Sequence, residues 1–80
     1  MIITQKIKQD ICIGKRIRAL RKVSKLTQEQ VTAFLQLEGL NTTRSIYSQI
    51  ECGTYNIRVS ELLALSKLFK TDINSFFEDL

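Results

Sequence analysis

The chain has 80 residues, 44% of them hydrophobic, with no proline, three glycines, no histidine and a net charge of +4. That length holds one domain with a small core and leaves no room for a second. No apolar run could span a bilayer, and without histidine, a paired-carboxylate motif or a glycine-rich phosphate loop there is no constellation for an enzyme.

Cysteine usage points the same way. Cys12 and Cys52 come with neither a signal-peptide pattern nor metal-ligand spacing, so they are expected to be reduced small hydrophobes in a cytoplasmic protein. No metal and no cofactor is expected. Charge is uneven: residues 1–40 carry eight Lys/Arg against three Asp/Glu, residues 41–80 four against five. Six of the basic residues lie between Lys15 and Lys25. Such a cluster attracts phosphate, although a solvated helix face would look the same.

Residues 1–10, with Ile2, Ile3 and Ile7, read as an N-terminal extension that could lengthen the first helix, form an arm or stay loose. Asp10 could cap helix one, and Ile13, Ile17 and Leu20 recur at the i, i+4, i+7 spacing of a buried stripe. Thr27 and Gln30 form a T-x-x-Q capping box, flanked by the hydrophobic staple pair Leu26 and Val31. Helix two therefore starts at Thr27, and Gly39 offers it a stop.

Thr43 is the preferred cap of helix three, with Asn41 and Thr42 able to do the same. Tyr47 and Ile50 point that helix into the core, and Gly53 ends it. After a loop at residues 54–58, Leu62, Leu65, Leu68 and Phe69 mark a fourth helix. Asp72 caps a short fifth one carrying Ile73, Phe76 and Phe77. The expected class is all-α.

Four segments in this order resemble the Xre-type, phage-repressor-like (Cro-like) helix-turn-helix family. I-G-K-R-I-R-A-L-R-K at residues 13–22 is similar to its first helix, and L-T-Q-E-Q-V at 26–31 to its second. R-S-I-Y-S-Q-I-E-C-G at 44–53 resembles the recognition helix, and residues 62–77 the last two helices. The resemblance implies a five-helix, lambda-repressor-like helix-turn-helix domain over residues 11–80. Three departures stand out. The stretch from Thr27 to Glu51 is several residues longer than the common pattern, as in a subgroup with a longer turn between helices two and three. Tyr47 replaces an aliphatic residue, so its phenol must reach a polar partner or the surface. Lys25 and Lys70 stand where the family often ends a helix with Gly.

Arg44, Ser45 and Gln49 fall on the side of helix three opposite Tyr47 and Ile50. Arg suits the guanine edge and Gln the adenine edge, so these three, with Ser48, are the expected base-contacting residues. Ile46 could meet a thymine methyl if exposed. Gln28, at the positive end of helix two, is expected at a phosphate, a role the resemblance also implies. Its alternative is an ordinary solvent-facing helix-start residue. Thr54, Tyr55 and Arg58 are further candidate backbone clamps. Arg21 and Glu51 border apolar stripes, and the resemblance implies a structural salt bridge between them. Glu51→Ala is accordingly expected to destabilise more than Glu61→Ala.

The expected function is a sequence-specific, double-stranded-DNA-binding transcriptional regulator, a repressor, with helix three in the major groove. An antitoxin or anti-repressor interaction module on the same fold is the alternative. A homodimer is expected, with Phe77 and Leu80 at its interface, because so short a last helix has more apolar side chains than one subunit can bury. A monomer packing all its phenylalanines internally is the competing reading.

Overall fold

The structure, a computed structural model, describes residues 13–77. Helix α1 runs over Ile13–Val23, α2 over Gln28–Leu37, α3 over Arg44–Cys52 and α4 over Val59–Phe69. A 3-10 turn at Ile73–Phe77 stands where a short fifth helix was expected. No strand occurs among the described residues. The 1–10 extension, the Asp10 cap, Cys12 and Leu80 lie outside them.

Local chemistry sets each helix start. Thr27 Oγ1 accepts from the Gln30 amide at 3.1 Å while Gln30 Oε1 accepts from the Thr27 amide at 2.9 Å, a complete capping box. Thr43 Oγ1 accepts from the Ile46 amide at 3.1 Å, which makes Thr43 the cap of α3. At the 3-10 turn, Asp72 supplies its backbone oxygen to the Ser75 amide at 2.9 Å and its carboxylate to the Asn74 amide at 3.3 Å.

The four helices among the described residues end alike. Each closes with paired backbone bonds around one left-handed residue: Leu26 N–H to Arg21 C=O, Leu40 to Leu35, Thr54 to Gln49 and Thr71 to Ser66, at 3.0–3.2 Å. The left-handed residues are Lys25 (φ 60°), Gly39 (87°), Gly53 (80°) and Lys70 (54°). Thus the two lysines adopt the conformation for which the family-like pattern uses Gly. A Cβ in that conformation costs roughly 1–2 kcal/mol.

The core gathers Ile17, Val31, Leu35, Tyr47, Ile50, Leu62, Ala64, Leu65, Phe69 and Phe76. These residues come from every helix and from the 3-10 turn, so no element is stable apart from the rest. Ile13, Leu20 and Leu68 complete the expected stripes as half-buried neighbours. Helix α3 lies between α1 and α2, while α4 backs α2 and the 3-10 turn packs on α1 and α4. Arg16 Nε donates to the Ser75 carbonyl at 3.0 Å and holds that last turn against α1.

The longer connection between α2 and α3 is an ordered path. Leu40 is half-buried against the core, and Gln36 Nε2 donates to the Thr42 carbonyl at 3.0 Å. Thr42 is completely buried, and its hydroxyl donates to Glu61 Oε2 at 2.6 Å. The extra residues therefore set where α3 begins rather than loosening its attachment.

Candidate nucleic-acid interface

Helix α3 has one face in the core and one in solvent. Tyr47, Ile50 and Glu51 are buried, whereas Arg44, Ser45 and Gln49 are exposed. Ser48 is half-buried at the margin. Ile46 is half-buried and packed against the core, which removes it as an exposed thymine contact. Cys52 is an exposed free thiol at the end of α3.

What fixes the buried face is Glu51. Arg21 grips its carboxylate with two nitrogens, Nε to Oε2 at 2.7 Å and Nη2 to Oε1 at 3.2 Å. Its third nitrogen, Nη1, donates to the Leu26 carbonyl at 2.9 Å, so one guanidinium joins α1, the α1–α2 turn and α3. The Tyr47 hydroxyl donates to Glu51 Oε2 at 2.6 Å, which answers where the buried phenol goes. The side chains of Arg21 and Glu51 are only 12% and 3% exposed, so solvent screens this pair little.

Burial alone would raise the Glu51 carboxyl; hydrogen bonds from Arg21, Tyr47 and Gln28 outweigh that and hold it below the usual carboxylate range. Burial first, then the bond to Glu51, pushes the Tyr47 phenol above its ordinary value. Arg21 is raised chiefly by its hydrogen bond to Glu51. At neutral pH the arrangement is therefore an ion pair with a neutral phenol donor.

Gly14 explains how close α1 and α3 come. A Cβ placed there would sit 2.5 Å from the carbonyl oxygens of both Ile50 and Glu51. Only a residue without a side chain lets α1 rest on the end of α3.

Gln28 is half-buried, and its side chain is engaged in the folded protein. Its Nε2 donates to Glu51 Oε1 at 3.0 Å and its Oε1 accepts from Arg44 Nε at 3.1 Å. The amide thus bridges the buried ion pair to the first residue of α3. Arg44 also donates from Nη1 to Glu29 Oε2 at 3.3 Å, an exposed pair at the start of α2.

Glu61 forms a second buried carboxylate site that the sequence reading passed over. It is completely buried, and it ties together the segments on either side of α3. Besides Thr42, it accepts from the Arg58 amide at 2.9 Å, Arg58 Nη2 at 3.2 Å and the Tyr55 hydroxyl at 3.4 Å. Burial raises this carboxyl too, and the bonds from Thr42 and Arg58 overcome it, leaving it below the usual range. Of the loop candidates, Thr54 is exposed, Tyr55 is half-buried and Arg58 is half exposed with one edge held by Glu61. The signal for Glu61 was its place three residues into α4, where a carboxylate can reach back to the helix-start amide.

The basic cluster divides by role. Arg16 and Arg21 turn inward to Ser75 and Glu51, while Lys15, Arg18, Lys22 and Lys25 are exposed. Arg18 and Lys22 follow Gly14 at spacings of four and eight residues along α1. Phe76 is completely buried; Phe77 is half-buried and packed against the core. Exposed aliphatic side chains are found elsewhere, at Val23, Leu37, Val59 and Leu63, of which Leu63 lines a groove with Leu40, Ala64, Glu38 and Lys67.

Comparison with family models, with curated proteins and with solved structures finds no match to this chain. Among the described residues no helix is long and apolar enough to cross a membrane, and no cluster of ligating side chains could hold a metal ion.

Proposed function

We propose that this chain is a sequence-specific, double-stranded-DNA-binding transcriptional regulator, a repressor of the Xre-type, lambda-repressor-like helix-turn-helix kind. One observation carries the reading: α3 is clamped to α1 and α2 by Glu51 on its inner face while Arg44, Ser45 and Gln49 stand in solvent on its outer face. A reading helix needs both properties, since a loosely held one would lose base discrimination to its own motion. In this proposal α3 enters the major groove and Arg44 and Gln49, with Ser45 and Ser48, meet base edges. The Gln28 and Glu29 amides, which open α2 outside the Thr27–Gln30 capping box, serve a phosphate, with the Gln28 side chain beside them. Thr54, Tyr55 and Arg58 extend the backbone contacts on the far side of α3.

Arg44→Ala and Gln49→Ala should each cost about 1–3 kcal/mol of discrimination at particular base pairs and leave the fold intact. Binding of selected and point-changed duplexes to each variant tests this, with circular dichroism as the control. Unchanged preferences in both variants would remove these residues from the reading surface. A two-fold dimer would read paired half-sites about one helical turn apart. Phe77, with Leu80, is the proposed contact, and sedimentation of Phe77→Asp on its duplex tests it. A variant that assembles normally would rule that contact out.

The second reading, a module that holds another protein, draws on the exposed Leu37, Val59 and Leu63. Were it the main function, Leu63→Asp would abolish partner capture from host extract, and Arg44→Ala would not.

A further inference from the structure

We propose that Glu29 is a selectivity residue that reserves Arg44 for a neutral base edge and turns it away from phosphate. The inference rests on the DNA-binding reading above and goes beyond it, because it gives an acidic side chain on the contact surface a task.

Gln28 must present its oxygen to Arg44 because its nitrogen is committed to Glu51 at 3.0 Å. Glu51 in turn is held by Arg21 and Tyr47. The Gln28 oxygen therefore fixes Arg44 Nε at 3.1 Å, and being neutral it leaves the guanidinium charge unbalanced. Glu29 supplies the balancing charge at Nη1, 3.3 Å away. That pair is 55% and 78% exposed on its two sides, so it is weak and displaceable.

An Arg reads guanine end-on through two nitrogens, and Nη1 is one of them. With Nε on Gln28 and one N–H of Nη1 on Glu29, the N–H groups left on Nη1 and Nη2 are the ones open to DNA, and any acceptor that takes them comes in beside the Glu29 carboxylate. A guanine edge is uncharged and can sit beside that carboxylate. A phosphate brings a like charge to the same place and is repelled. Glu29 thus weakens the sequence-independent mode more than the specific one.

The test uses duplexes recovered by selection from a random pool and a scrambled duplex of the same composition. Glu29→Gln should tighten binding to the scrambled duplex by roughly two- to five-fold, the range of an exposed ion pair, and change the selected duplex much less. In an Arg44→Ala background the same substitution should shift both duplexes equally. Equal tightening of both duplexes with Arg44 present, or an unchanged differential without Arg44, would overturn the assignment. A wild-type protein that does not distinguish the two duplexes would instead sink the DNA-binding reading, and this inference with it. Glu29 is exposed, and matching thermal melts of Glu29→Gln and wild type confirm that only binding is being read.

Discussion

At the scale of single residues, two carboxylates organise the molecule, and only one was legible in the sequence. Glu51 announced itself by bordering an apolar stripe and by a family-like position. Glu61 did not, because its partners Thr42, Tyr55 and Arg58 are scattered through loops whose paths a helical pattern cannot give. Glu61→Ala is still expected to be the milder change, but Glu61 is no bystander. Glu51→Ala leaves the buried Arg21 charge without its carboxylate, only the Leu26 carbonyl remaining, and the Tyr47 hydroxyl without its acceptor, and should cost about 3–5 kcal/mol. Glu61→Ala orphans the buried Thr42 hydroxyl while Arg58 can turn to water, so about 1–3 kcal/mol is expected. Glu29→Ala, at the surface, should change stability by less than about 1 kcal/mol. Thermal melts rank the three, and a neutral Glu61→Ala would show that its bonds carry no net stability.

The same two groups set the acid response. Both carboxyls are held below their ordinary value, so the folded state prefers them ionised. Their contribution is complete above the unfolded carboxylate value of about 4.3 and is lost as pH falls through the lower folded values. Melting temperature should therefore be level near neutrality and drop steeply in acid. The double variant Glu51→Gln, Glu61→Gln should start lower and show a shallower acid limb. An acid limb as steep as wild type would place the titrating groups elsewhere.

At the scale of elements, starts were easier to read than ends. Thr27 and Thr43 act through side-chain chemistry that a sequence displays directly. Lys25 and Lys70 take a backbone conformation that their side chains disfavour, and only the absence of Gly hinted at it. Lys70→Gly should therefore stabilise the protein by several tenths to about 1 kcal/mol, the relief of strain offset partly by a more flexible unfolded chain. Denaturant midpoints test it, and a loss of stability would mean that the Lys70 side chain contributes packing. Gly14 is the opposite case: Gly14→Ala forces Cβ onto two carbonyls and should cost more than about 2 kcal/mol by driving α1 off α3. The close approach was invisible in sequence because it depends on which helix crosses there. The last described element is a 3-10 turn over Ile73–Phe77, held against α1 by the bond from Arg16 to the Ser75 carbonyl.

At the scale of the whole molecule, the all-helical fold followed from the spacing of Ile13, Ile17, Val31, Tyr47, Leu62 and Leu65. The candidate surface was legible as a list of residues but not as an arrangement. The sequence placed Gln28 and Arg44 as separate contacts; the fold joins them through one amide. It also separates Arg16 and Arg21, which hold the structure, from Lys15, Arg18, Lys22 and Lys25, which face solvent. A protein built this way should bind its preferred duplex with a strong salt dependence, each phosphate contact adding about 0.9 to the slope of log affinity against log salt. Selection from a random duplex pool, followed by titration of the recovered sequence at two salt concentrations, is the most direct measurement. A defined sequence preference and an affinity that falls steeply with added salt are expected. Recovery of no preferred sequence, with weak binding indifferent to salt, would contradict it.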